Sequence, residues 1–99
     1  MREQAIEALK AVLDPELGVN IVDLGLVERL DADESGILID LIMTSPACPQ
    51  GDYLAEQCTQ VMEQSFGANL PVSVQVVSFP PWEPERMSES ARRQLGWIG

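Results

Sequence analysis

Between residues 2 and 13 the apolar positions Ala5, Ile6, Leu9, Val12 and Leu13 recur at spacings of three and four, while Glu3, Glu7 and Lys10 fall on the other side. This pattern predicts an amphipathic helix. Asp14-Pro15 ends it, because the residue before a proline is pushed out of the α region. A loop over 14–20 leads to a run over 24–32 that is rich in Leu and Val but alternates irregularly, followed by the turn-forming cluster Asp33-Glu34-Ser35-Gly36. Over 37–43 the alternation is clean, with Ile37, Ile39, Leu41 and Met43 on one face and Leu38, Asp40 and Ile42 on the other. The two runs predict an antiparallel hairpin. Its second strand is apolar on nearly both faces, so it belongs at the centre of a sheet.

Helical spacing returns over 52–66 through Leu54, Ala55, Cys58, Val61, Met62 and Phe66, and Gly67 stands where a left-handed residue closes a helix. Strand alternation resumes at Val72, Val74 and Val76. A strand, a helix and a strand in succession predict a right-handed crossover between parallel neighbours. The expected fold is therefore α+β: a small mixed β-sheet in the order α-β-β-α-β plus a short C-terminal helix, with helices packed on one face. Residues 79–84, Phe-Pro-Pro-Trp-Glu-Pro, are expected to lie extended across the surface, because prolines lack the N–H donor and fix φ. Trp82 there reads as a packing anchor or as an exposed contact for a partner. Ser88 is the N-cap expected for the last helix, which carries Ala91 and Leu95 and closes at Gly96.

Length and charge narrow the options. Ninety-nine residues, 45% of them hydrophobic, suit one domain over 1–99 with one core. Sixteen acidic residues against six basic give a formal charge of −10, which repels phosphate backbones and anionic lipid headgroups, so nucleic acid and membrane surfaces are not expected partners. No stretch approaches the ~18 to 20 apolar residues of a membrane span, and Met1-Arg2-Glu3-Gln4 opens a polar helix instead of a signal peptide, so a cytoplasmic protein is expected. There is no histidine, which removes Ser-His-Asp and Cys-His catalysis and all imidazole zinc sites.

The chemistry concentrates in Thr44-Ser45-Pro46-Ala47-Cys48-Pro49-Gln50-Gly51. Pro49 suits the first turn of the second helix, so Cys48 is expected at or just before its N-terminus, where unpaired N–H groups and the dipole favour a thiolate. A lowered thiol pKa is the expected consequence. The bland alternative for Cys48 is a small buried hydrophobe. Cys58, on the apolar stripe of that helix, reads as core. A Cys48–Cys58 disulfide is not expected, since the helical rise of ~1.5 Å per residue separates them by more than the ~7 Å a bridge spans. Asp14, Glu16, Thr44 and Ser45 are the polar groups expected to gather near the loop thiol, with turn and cap roles as the alternative. A thiolate serves as nucleophile or as soft metal ligand. The nucleophile lacks a histidine base, leaving only Asp14 or Glu16, and an iron-sulfur cluster wants about four thiolates. One loop cysteine completes such a site only with a dimer mate, a second protein or a small thiol.

Three separated segments carry a family likeness: Asp14-Pro15-Glu16-Leu17-Gly18-Val19-Asn20-Ile21-Val22-Asp23-Leu24-Gly25-Leu26-Val27, then Thr44-Ser45-Pro46-Ala47-Cys48-Pro49, then Pro80-Pro81-Trp82 leading into Arg86-Met87-Ser88-Glu89. In that order they resemble the iron-sulfur cluster assembly domain family of SufT-like and PaaD-like proteins. The resemblance implies an α+β domain with a small mixed sheet and a non-enzymatic accessory role in the maturation of iron-sulfur proteins. The family's polar cluster would fall on Asp14, Glu16, Thr44, Ser45 and Cys48, with Cys48 as transient metal ligand and no stable cofactor. Ser45 is a slight variation on the threonine or alanine common at that place. PaaD-like proteins usually carry a further cysteine-bearing C-terminal region, which is missing up to Gly99, so the stand-alone SufT-like branch is expected. Implied partners are iron-sulfur scaffold or carrier proteins and apoprotein clients, and the incomplete cysteine site adds a homodimer mate as a candidate. The reading from another class is a protein-interaction adaptor that uses the acidic surface and Pro80-Pro81-Trp82.

Overall fold

The computed structural model describes residues 1–44 and 51–96. Helix α1 (Arg2–Leu9) is followed by strands β1 (Val27–Asp33) and β2 (Gly36–Leu41), helix α2 (Gly51–Phe66), strand β3 (Val72–Val76), a 3-10 turn over Pro84–Arg86, and helix α3 (Glu89–Leu95). The sheet order is β1-β2-β3, with β1 antiparallel and β3 parallel to β2. The second strand is thus central, and the sheet is mixed as the α+β reading requires.

Register explains which residues are buried. Leu30 pairs with Ile39 and Ala32 with Ile37, while Val72, Val74 and Val76 stand beside Ile37, Ile39 and Leu41. This is the face that α1 and α2 cover, α2 through Leu54, Cys58 and Met62 at intervals of four and α1 through Ala5 and Leu9. The opposite face carries Arg29, Asp31, Leu38, Asp40, Ser73 and Gln75, held by Gln75 Nε2 donating to Asp40 Oδ1 at 2.7 Å and Arg29 Nε donating to Asp31 Oδ2 at 2.7 Å. Gly67 takes φ +89° past α2 and donates its N–H to the Glu63 carbonyl.

Three boundaries differ from the sequence reading, each for a local reason. α1 stops at Leu9, because the Ala11 and Val12 amides bond three residues back, to Ala8 and Leu9, and the chain then switches to a two-residue alternation. Val12 faces the core, Leu13 is 51% exposed and bridges to Asn20, and Asp14 turns inward. β1 begins at Val27, since Leu24 and Gly25 belong to a turn; Glu28 is a bulge between Val27, opposite Leu41, and Arg29, opposite Asp40. The bulge is the cause of the irregular alternation over 24–32, because it puts both Val27 and Leu30 on the core side. β2 ends at Leu41, where the Ile42 amide leaves the ladder to bond the Leu26 carbonyl at 2.8 Å.

The proline-rich segment departs at its end, where Pro84 opens the 3-10 turn in place of an extended stretch. The Trp82 indole donates to the Leu24 carbonyl at 2.6 Å and packs on the core, which makes it an anchor. Ser88 caps α3 by accepting from the Ala91 amide at 3.1 Å, and Gly96 closes it at φ +71°. No helix among the described residues is long and apolar enough to cross a membrane.

Candidate functional site

Two segments of the expected site flank one end of the sheet. Thr44 is half-buried three residues past the end of β2, and α2 starts at Gly51. A Cβ on Gly51 would stand 3.1 Å from Val76 Cγ2, so the first residue of α2 lies against the last residue of β3. The Val77 amide donates to the Leu41 carbonyl at 2.8 Å, keeping the two strands side by side to their carboxyl ends. The chain between Thr44 and Gly51 therefore departs from and returns to the carboxyl edge of a parallel pair, the edge where α/β sheets place ligands. Ser45, Cys48 and the first-turn position expected of Pro49 lie outside the described residues.

Asp14 is the buried charged residue among the described residues, at 3% exposure. The alternation begun at Val12 turns it inward, and two backbone bonds fix the loop: the Asp14 amide donates to the Val19 carbonyl at 3.0 Å, and the Gly18 amide donates to the Asp14 carbonyl at 2.7 Å. Its Oδ1 accepts from the amides of Glu16 at 2.8 Å and Leu17 at 3.1 Å, the way a cap satisfies the first donors of a helix. Glu16 itself is exposed. Among the described residues no hydrogen bond or ion pair joins Asp14 or Glu16 to Thr44. What ties them is backbone: the Ile42 amide bonds the Leu26 carbonyl, Leu26 bonds Ile21, and Ile21 bonds Val12. Also among the described residues, no three His, Cys, Asp or Glu side chains cluster to hold a metal ion.

The remaining cysteine is settled by burial. Cys58 is a fully buried free thiol whose pKa is pushed from 9.0 up to about 12 by removal from water, so it stays protonated at neutral pH.

Sequence reasoning missed two features here. The first is a set of exposed apolar side chains close in sequence to Gly51 and Val76, with Tyr53 49%, Val76 44% and Phe79 79% exposed. The second feature is the joining of the first and third motifs. Trp82 bonds Leu24, the Ser88 amide donates to the Asp23 carbonyl at 2.7 Å, and Arg86 donates through Nε to the Gly25 carbonyl at 2.9 Å and through Nη2 to Glu28 at 2.7 Å. Asn20 braces the turn by donating to Asp23 Oδ2 and accepting the Asp23 amide. Aromatic and Arg residues shortly after a proline pair were the available signal, but nothing in sequence says where they dock.

A three-stranded mixed sheet backed by two helices, with Thr44 and Gly51 both at the carboxyl edge of its parallel pair, defines a small α+β domain. A family model described as "Iron-sulfur cluster assembly protein" matches residues 2–76. The chain is 38% identical to the Fe-S protein maturation auxiliary factor YitW of Bacillus subtilis, over 97% of this chain and 94% of that one. It is likewise 38% identical to the Fe-S protein maturation auxiliary factor SufT of Staphylococcus aureus, over 86% of this chain and 97% of that one. A crystal structure of a domain of unknown function from Bacillus anthracis superposes with a TM-score of 0.90 at 39% identity, covering 98% of this chain and 92% of that one. The chain belongs to the iron-sulfur cluster assembly protein family.

Proposed function

We propose that this accessory factor in iron-sulfur protein maturation handles a transient cluster through Cys48 and passes it, or a component of it, between a scaffold or carrier and an apoprotein client. The cluster is cargo, and the chain turns over no substrate of its own. It works in the cytoplasm. The observation that carries the reading is the burial of Cys58, which leaves Cys48 as the candidate cysteine of this chain for a soft metal. One thiolate cannot hold a cluster, so the other ligands come from the donor, the acceptor, a small thiol or a second copy of this chain. An incomplete site suits hand-over, because each partner displaces a ligand of the other. Asp14, Glu16, Thr44 and Ser45 are the polar groups assigned to the surroundings of the cargo.

The test is anaerobic reconstitution with iron, sulfide and a small thiol, followed by activation of an apoprotein client, on the wild type, Cys48→Ser and Cys58→Ala. Loss with Cys48→Ser and retention with Cys58→Ala is the expected result. Client activation that survives Cys48→Ser removes the thiol from the mechanism. The adaptor reading is weakened by the inward packing of Trp82, which leaves Phe79 as the outward apolar group of that segment.

A further inference from the structure

The two edges of the sheet are built differently. The outer edge of β1 carries Glu28, Arg29, Asp31 and Asp33 within seven residues, the charged kind of edge that refuses another strand. The outer edge of β3 reads Val72-Ser73-Val74-Gln75-Val76, with no charge, no proline and no bulge, in a chain whose formal charge is −10.

Its backbone is open as well. The Pro71 carbonyl accepts from the Ile37 amide, and the Val77 amide donates to the Leu41 carbonyl, so residues 71, 73, 75 and 77 spend their polar groups on β2. In a parallel pair the intervening residues point the other way. The N–H and C=O groups of Val72, Val74 and Val76 therefore project from the edge, and among the described residues none of them has a backbone partner. Their side chains, on the helix-covered face, are half-buried at Val72 and Val74 and 44% exposed at Val76, so α2 leaves part of that valine row uncovered.

We infer that the β3 edge is a self-association surface, on which a second copy of this chain adds its own β3 antiparallel about a two-fold axis at Val74. The strand's own pattern selects this occupant, because Val72-Ser73-Val74-Gln75-Val76 alternates apolar and polar positions in the same order read from either end about Val74. Two copies carrying this much negative charge approach at least cost along the uncharged edge, and an isologous contact needs the same neutral strand on both sides. With Val74 opposite its equivalent, Val72 stands opposite Val76 of the second copy, and the three outward residues of each strand exchange about six hydrogen bonds. Ser73 then faces Gln75 of the second copy across a non-bonded pair, on the open face of the joined sheet. The contact is short, below ~1,200 Å² in total, so the dimer is weak and concentration-dependent.

The inference does not depend on what Cys48 does, yet it limits how a second copy serves the proposed function. Antiparallel pairing sends the two carboxyl ends of β3 in opposite directions, about 13 Å apart along the strand. The Thr44 and Gly51 ends of the two copies then lie at opposite ends of the joined sheet. This dimer carries two separate sites, and ligands beyond Cys48 come from another protein or a small thiol.

Sedimentation velocity over a concentration series tests the register by charge placement. In S73K/Q75K each introduced lysine faces a lysine of the other copy, and dissociation is expected to become about tenfold easier. In S73E/Q75K each introduced glutamate faces an introduced lysine of the other copy, while the new ammonium at position 75 keeps Asp40 beside it, and association is expected to equal or exceed wild type. Far-UV circular dichroism confirms that both variants fold; Cys48→Ser dimerises like wild type, so failure here and failure of the cluster reading are told apart. Added salt tightens the wild-type dimer by screening the net charge. A wild type that stays monomeric up to the highest soluble concentration overturns the inference. So does a dimer indifferent to S73K/Q75K, or one that S73E/Q75K weakens as much as S73K/Q75K does.

Discussion

Asp14 has two candidate jobs, and a pair of substitutions separates them. Its Oδ1 accepts from the amides of Glu16 and Leu17 at 2.8 and 3.1 Å, and its side chain is almost wholly withdrawn from water. Asp14→Ala removes the acceptor from both amides. At about 1 kcal/mol for each bond, the loss is about 2 kcal/mol, within the span measured for deleted caps. For a domain of this size that lowers Tm by roughly 8 to 16 °C. Asp14→Asn keeps an oxygen facing the two amides and deletes the charge, so its Tm is expected to stay within about 3 °C of wild type. Differential scanning calorimetry gives both values, and client activation is then assayed at a temperature where both variants are folded. Activity lost in Asp14→Asn with Tm retained assigns the carboxylate to the cargo. An Asp14→Ala protein as stable as wild type would falsify the capping argument, because the two amides would then be shown to have equally good partners without it.

Two further predictions concern packing and ionisation. Gly25 takes φ +77°, and a Cβ there would stand 2.5 Å from the Arg86 carbonyl oxygen and 2.6 Å from Arg86 Cβ, so Gly25→Ala is expected to push the segment after Val76 off the body. Limited proteolysis should then cut between residues 77 and 88 at least several-fold faster than in wild type, and an unchanged cleavage rate refutes the argument from the close approach of Arg86 to Gly25. For Cys58 the folded pKa lies above the unfolded one, about 12 against 9.0, because burial disfavours the thiolate. Its contribution to stability is therefore full below pH 9 and is lost as the pH climbs towards 12. Cys58→Ala should flatten the alkaline limb of a plot of stability against pH, and in wild type the Cys58 thiol should alkylate only in denaturant.

What could be read from the sequence follows from how local its causes are. The span of α2 was legible because Leu54, Cys58 and Met62 repeat every four residues and Gly67 supplies the left-handed stop. The hairpin was legible from the clean alternation of β2. The end of α1 was not, because Val12 and Leu13 continue a helical spacing by coincidence while the chain has already switched to a two-residue period. The bulge at Glu28 hides in the same way, since an inserted residue scrambles alternation without announcing its position. At the site, Cys48 was singled out by its prolines, but the burial of Asp14 was invisible: a carboxylate before a proline reads as a turn residue, and only the backbone bonds over 12–21 pull it inward.

The structure also divides the family likeness into two kinds of residue. In the first motif Asp14 caps a loop, Asn20 and Asp23 brace a turn, and Gly25 lets the chain pass beneath Arg86. In the third motif Trp82, Arg86 and Ser88 take hold of Leu24, Gly25, Glu28 and Asp23. Segments about sixty residues apart are thus one scaffold, and their joint presence is explained by folding alone. The cysteine between prolines lies outside the described residues, and the proposed function gives it a role in chemistry instead. Substitutions in the first and third motifs should therefore lower Tm and activity together, whereas Cys48→Ser should lower activity with Tm unchanged. That split, more than any one loss of function, separates what holds this domain together from what it does.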